Sequence, residues 1–213
     1  MKKFLAIAVA GFTLAAASHA SAATVKNSTA FGPTATDFTT SNLTIQGFDT
    51  NLGTLTDVSL TLTAGVSLNG TVTNTTKTSQ TFKVTTTTTV ALSSASASIG
   101  SLSVDLTQTQ SYVNLAAGAS AAYGPYSLSN TTTVAGTPLS DFTAGPISFT
   151  GSASSLKTLP TTADAVIPAV ANGTLQVTYT YTPTPPTSVP EPASMALLGM
   201  GLAGLGLIRR RSV

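Results

Sequence analysis

The 213-residue sequence has no cysteine and no tryptophan, and its one histidine, His19, stands near the start. Without cysteine there can be no disulfide framework, so any fold must be stable on its core alone. Without histidine after position 19 the body lacks the side chain that most often acts as general base. The usual route to an activated serine or threonine nucleophile is therefore missing. Charge is scarce too, at 8% of residues. Arginine is confined to Arg209, Arg210 and Arg211, and glutamate to Glu191. Between residues 23 and 188, four lysines (Lys26, Lys77, Lys83, Lys157) meet six aspartates (Asp37, Asp49, Asp57, Asp105, Asp141, Asp164), a net of −2. The pI near 9.0 thus belongs to the two ends of the chain. A basic patch that could hold phosphates is absent, which excludes nucleic acid as a partner.

The ends carry their own signals. Lys2 and Lys3 precede an apolar run from Phe4 to Ala17, and Ala20-Ser21-Ala22 has the small-x-small pattern that signal peptidase reads. Residues 1–22 are expected to be a signal peptide and Ala23 the first residue after cleavage. At the other end a Pro/Thr linker, 184–189, leads to Pro190-Glu191-Pro192, which cannot enter a helix interior. Ala193 to Ile208 is an uncharged run of 16 residues, closed by the three arginines. As a helix it would be about 24 Å long, somewhat short of a hydrocarbon core of about 30 Å, a gap that bilayer thinning and snorkelling can close. It is expected to be a single transmembrane helix with its arginines in the cytoplasm. Gly199, Gly201 and Gly204 spell G-x-G-x-x-G, but no strand-helix-strand unit surrounds them and no acid follows. Helix packing is the better role for them than dinucleotide binding.

The order Pro-Glu-Pro, short apolar helix, terminal arginines resembles the PEP-CTERM sorting signal of Gram-negative bacteria. The resemblance implies processing by an exosortase, a membrane protease that cuts near Pro190-Glu191-Pro192. It also implies export through the inner membrane, transient anchoring there, and a final place at the cell surface or in an exopolysaccharide matrix. An uncleaved tail anchor is the plainer alternative.

The body is written in Thr, Ser, Ala, Gly, Asn and Val, residues that favour pleated strands and turns over helices. Val58, Leu60, Leu62, Ala64, Val66, Leu68 and Val72 share one parity, with mostly polar residues between them. Gly65 or Gly70 is expected to mark a bulge or bend in that long strand. After a polar turn at Asn74 to Ser79 the parity returns in Phe82, Val84, Val90 and Leu92, with Thr86 and Thr88 in the same column. Leu102, Val104 and Leu106 form a third run. A loop is expected around Gly118, Tyr123, Gly124, Pro125 and Tyr126, and further strands at Tyr126 to Val134, Ile147 to Gly151 and Thr174 to Tyr181. Residues 23–183 should form one all-β domain, an antiparallel β-sandwich, either immunoglobulin-like or jelly-roll-like. Two stretches, Phe48-Asp49-Thr50-Asn51-Leu52-Gly53-Thr54-Leu55 running into Val58 to Leu62, and Val177 to Pro183, resemble the choice-of-anchor E family. That resemblance implies an exported domain held by a C-terminal anchor and supplies no catalytic residues.

Few residues offer chemistry. Ser154-Ser155-Leu156-Lys157 spells S-x-x-K without the S-D-N and K-T-G elements that accompany it in serine acyl-enzymes, and is best read as chance. Asp49 and Asn51 read as a turn cap, with calcium ligation the rival. Paired carboxylates for glycoside hydrolysis would have to come from aspartates that mostly sit in turn-like contexts. The chain is therefore expected to be non-enzymatic, with no cofactor and no metal. Tyr112, Tyr123 and Tyr126 are the candidates for contact with an exopolysaccharide, by stacking against sugar rings. Their competing role is to cover a sandwich edge.

Overall fold

Strand-forming residues with a parity-2 apolar column make sheets only if two such faces meet. The computed structural model, which describes residues 21–94, 96, 99–184 and 199–200, has that arrangement. Among the described residues nine antiparallel strands form two sheets. One sheet has the order β1 (Ala23–Ala35), β9 (Ala169–Pro183), β3 (Gly53–Asn74), β6 (Ser120–Ala135), with β8 (Ala163–Val166) also on β3. The other has the order β2 (Phe38–Ile45), β7 (Ile147–Thr158), β4 (Gln80–Ser94), β5 (Ser101–Leu115).

The apolar columns face each other. Val58 to Leu68 at every second position, and Val72, are buried in β3; Phe82, Val84, Val90 and Leu92 meet them from β4, with Thr86 and Thr88 buried in the same column. Leu102, Val104 and Leu106 of β5 and Leu175, Val177 and Tyr179 of β9 complete the core. The intervening threonines face outward and bond across the strands. Thr61 and Thr133 hydroxyls are 3.0 Å apart, Thr63 and Thr131 3.1 Å, Thr85 and Thr109 2.9 Å, and Thr87 and Thr107 3.2 Å.

The pairing has a simple rule. β8 and β9 keep one register along β3, with Thr71 opposite Val166 and Leu68 opposite Ala169, so they act as one strand broken at Ile167-Pro168. Gly70 permits the break, because a Cβ there would run into the Val166 carbonyl oxygen. Counting β8–β9 as one, the first strand then pairs with the last, β2 with β7, β3 with β6, and β4 with β5. The chain is a long antiparallel ribbon rolled into two sheets, a jelly roll. The immunoglobulin-like alternative has a different sheet order and is set aside.

Two differences from the sequence reading have clear causes. β1, β2 and β8 were not anticipated: β1 is a half-exposed edge strand, β2 and β8 are short, and their apolar columns are thin. The expected loop at Tyr123 to Tyr126 is instead part of β6. Gly124 (φ +88) and Pro125 bulge there opposite the single Asn69, between the pairs Gly70 with Tyr123 and Leu68 with Tyr126. The bend expected at Gly65 or Gly70 falls at Gly70, and Gly65 stays in regular pairing with Ser129.

Of the two expected end signals, Ala20, Pro190, Glu191, Pro192, Arg209, Arg210 and Arg211 lie outside the described residues. Of the expected helix 193–208 only Gly199 and Met200 are described, and both are helical. Among the described residues no helix is long and apolar enough to cross a membrane.

Candidate functional site

Residues 22–184 form one compact unit, and its two chain ends leave at the same end of the sandwich. Ala23 of β1 lies opposite Tyr181 of β9, and beyond Tyr181, among the described residues, β3 alone pairs with the outgoing strand: Thr54 with Thr182 and Gly53 with Pro183. The last bond runs from the Thr184 amide to the Leu52 carbonyl, 3.1 Å.

The turn that makes this grip is built locally. The Asp49 side chain accepts from the Asn51 amide at 2.9 Å and from Asn51 Nδ2 at 2.8 Å, capping the 3₁₀ turn Thr50–Leu52. These bonds occupy Asp49 and Asn51 as a cap. Gly53 follows with φ +150, and a Cβ there would run into the Thr182 carbonyl oxygen. Phe48 packs against Tyr181 (5.2 Å between ring centres) and Tyr179 (5.9 Å), and the Tyr179 hydroxyl donates to the Gln46 carbonyl at 2.8 Å. Thr56, at the register shift between Leu55 and Asp57, closes the seam by donating to the Thr180 carbonyl, 3.0 Å. The two stretches singled out in sequence, 48–62 and 177–183, are thus neighbours that hold each other.

The three candidate tyrosines lie on the flank where β5 of one sheet meets β6 of the other. Tyr112 donates to the Ala122 carbonyl at 3.0 Å, Tyr123 to the Gln108 carbonyl at 3.0 Å, and Tyr126 to Gln110 Oε1 at 2.8 Å. Gln110 Nε2 returns to the Ala122 carbonyl at 3.1 Å. Tyr112 and Tyr123 are 6% and 0% exposed, and Tyr126 is half-buried with its ring 5.3 Å from that of Tyr123. The glycan-stacking role expected of Tyr112 and Tyr123 therefore fails, because their ring faces are inside the protein. They cover the sandwich edge and satisfy carbonyls that the edge strands would otherwise expose. Burial pushes the Tyr112 phenol up to about 12, with Tyr126 and Tyr123 adding to it. Burial also raises Tyr123, partly offset by Thr86 beside it. Tyr179, near the tail, is pushed up to about 12 by burial alone.

Sequence reasoning missed Asn74. It is fully buried, and its Nδ2 donates to the carbonyls of Thr78 (2.8 Å), Leu115 (2.9 Å) and Ala116 (3.1 Å). Its Oδ1 accepts from the Thr76 amide and hydroxyl. One side chain thereby ties the β3–β4 turn to the β5–β6 turn. Asn74-Thr75-Thr76 has the form of a glycosylation sequon, a role that burial of the side chain excludes. Two open clefts lie on the surface of the described residues. One, of about 420 Å³, includes Ser96 and Asp141, joined by a 2.8 Å hydrogen bond. The other, of about 350 Å³, includes Asp37, Ser155 and Lys157. Among the described residues no three His, Cys, Asp or Glu side chains are grouped as a metal site would need. Ser154 to Lys157 lie in a strand, where positions three apart point to opposite faces.

What remains is the segment to which the gripped strand leads. Residues 188–211 match the family model of the PEP-CTERM protein-sorting motif. The PEP-CTERM match takes in Pro190, Glu191, Pro192 and all three arginines, and begins four residues after Thr184. It marks an exported chain targeted by an exosortase, with passage through a membrane. No curated protein matches the sequence. A solved structure of infectious bursal disease virus, Gx strain, aligns at 14% identity over 84% of this chain, with a TM-score of 0.22. This chain spans only 43% of that one, and so low a score carries no inference.

Proposed function

We propose that the chain is an exported, exosortase-processed, non-enzymatic protein whose jelly-roll body becomes a component of the cell surface or of an exopolysaccharide matrix in a Gram-negative bacterium. The observation that carries the reading is the sorting motif at 188–211, attached by a short linker to a folded body. The body's chemistry agrees with it. Asp49 caps a turn, Asp37 accepts from the Ser155 amide, and Asp105 accepts from the Thr89 hydroxyl. These aspartates serve the fold, and the outward faces are hydroxyl-rich and nearly uncharged. The resemblance to the choice-of-anchor E family points the same way, toward a displayed domain.

Intact-mass measurement of the native protein tests the reading, using membrane and medium fractions from strains with and without the host exosortase. The expected mature species starts near Ala23 and ends near Pro190, and disappears when the exosortase gene is deleted. Retention of residues 193–213 in both strains would make the protein an ordinary membrane-anchored domain.

A further inference from the structure

A sheet edge is closed to other chains only where something occupies its backbone groups. On one flank of the sandwich β1 and β2 do this, and both stop at the crossing between them. The Thr36 amide bonds the Ala169 carbonyl of one sheet at 2.9 Å, and the Asp37 amide bonds the Ala153 carbonyl of the other at 2.7 Å. Asp37 turns the chain there with φ +68. Beyond the crossing β7 runs on to Thr158, and β8 spans Ala163–Val166. Among the described residues no strand pairs with either on that side. Val166, 64% exposed, lines the cleft of about 350 Å³ found there, and Leu156 of β7 is 68% exposed.

Charged side chains stand where the strands are missing. In an antiparallel strand alternate residues present amide and carbonyl to the same side. Ala153 faces β2, so Ser155 and Lys157 face the vacant side, and the Ser155 amide is taken by Asp37 Oδ1 at 3.2 Å. On β8 it is Ala165 that turns its backbone outward. Its amide donates to Asp164 Oδ1 at 2.8 Å, and its carbonyl accepts from Lys157 Nζ at 3.4 Å. In a body with four lysines and six aspartates, three of these charges stand on one short length of edge. A strand laid on either edge would have to displace these bonds and take the charges out of water. The strand donor to be kept away is another copy of the chain, because an edge can pair with its own copy about a twofold axis. Strands of low charge and high β-propensity are prone to such pairing. We propose that Asp37, Lys157 and Asp164 guard this flank against strand addition by a second copy, so that copies of the chain do not join sheet to sheet through β7 and β8. The proposal makes no use of the sorting motif and stands apart from it.

The test compares variants of the full chain in detergent by sedimentation and by cross-linking. The chain has no cysteine, so Leu156→Cys reports contact between copies at this flank by disulfide formation under mild oxidation. Val113→Cys, 73% exposed on β5, reports the opposite flank. Asp37→Gly removes one cap and keeps the positive φ, which glycine adopts freely. Lys157→Thr and Asp164→Ala remove the other two. The triple variant should self-associate at about one tenth of the concentration that the unaltered chain needs, and Leu156→Cys placed in it should cross-link about tenfold faster. Lys157→Arg, which keeps the donor, and Asp164→Asn, which keeps the acceptor, should behave as the unaltered chain does. Association through other surfaces is common to all variants and cancels in the comparison. A folded triple variant that neither associates nor cross-links more readily would overturn the proposal, and so would a gain confined to Val113→Cys. Should the triple variant not fold, Lys157→Thr alone, at an exposed position, carries the same comparison with a several-fold effect.

Discussion

At the scale of single residues, Asn74 is the side chain on which most depends. Truncation would remove five hydrogen bonds at once, three to the carbonyls of Thr78, Leu115 and Ala116 and two from the Thr76 amide and hydroxyl, inside a fully buried space. Unmet buried polar groups cost more than a hydrogen bond gains. Asn74→Ala should therefore lower unfolding stability by about 2–3 kcal/mol, read as a shift of the denaturant midpoint. Nothing in Asn74-Thr75-Thr76 announces this, because the carbonyls it serves at 115 and 116 come from a turn forty residues away. The tyrosines give a second prediction. Tyr112 and Tyr179 have phenols raised to about 12 from an ordinary 10. Above pH 10 the unfolded chain loses these protons while the folded one keeps them, so the folded state binds more protons. Their contribution is complete below pH 10 and lost as pH rises through 12. A denaturant midpoint that stays level from pH 10 to 12, or phenolate absorbance complete by pH 11, would contradict it.

At the scale of elements, the molecule is a study in managing edges. Exposed strand edges invite pairing with other chains, and here both flanks of the sandwich are bridged. On one flank Asn27 Nδ2 reaches the Gln46 carbonyl at 3.1 Å and Phe31 meets Phe38 edge-on at 6.0 Å. On the other the tyrosine and glutamine side chains join β5 to β6. The outward threonine pairs stiffen the sheets between these flanks. A double-mutant cycle on Thr61→Ala and Thr133→Ala should give a coupling of about 0.2–1 kcal/mol, while Thr63→Ala with Thr85→Ala, on different sheets, should be additive. The parity of β3 and β4 was legible because those central strands bury one whole face, and most of its residues are apolar, Thr86 and Thr88 of β4 excepted. The tyrosine segment was not, since a Gly-Pro bulge reads as a loop when its partner, Asn69 in β3, is unknown. β1 was missed for a related reason: its inward column starts with Val25, Asn27 and Thr29, too polar to announce a strand.

At the scale of the whole molecule, sequence alone led to two β-sheets facing each other, with the sorting tail set apart from the body, because composition and parity act over short windows. It could not choose between sandwich types, since that choice lies in pairings such as Ala23 with Tyr181, at opposite ends of the text. The same pairing sets an order of events. β9 lies between β1 and β3, so β1 has no partner in the sheet, and β3 lacks one along most of one side, until the last strand arrives. Pairings this distant in sequence make folding slow relative to local structure, and an unfinished sheet is prone to aggregate. A chain delivered from its N-terminus must therefore wait, half-paired, for residues 169–183. The residues that complete the sheet are followed at once by the tail, so the moment the domain can close coincides with the moment its tail appears.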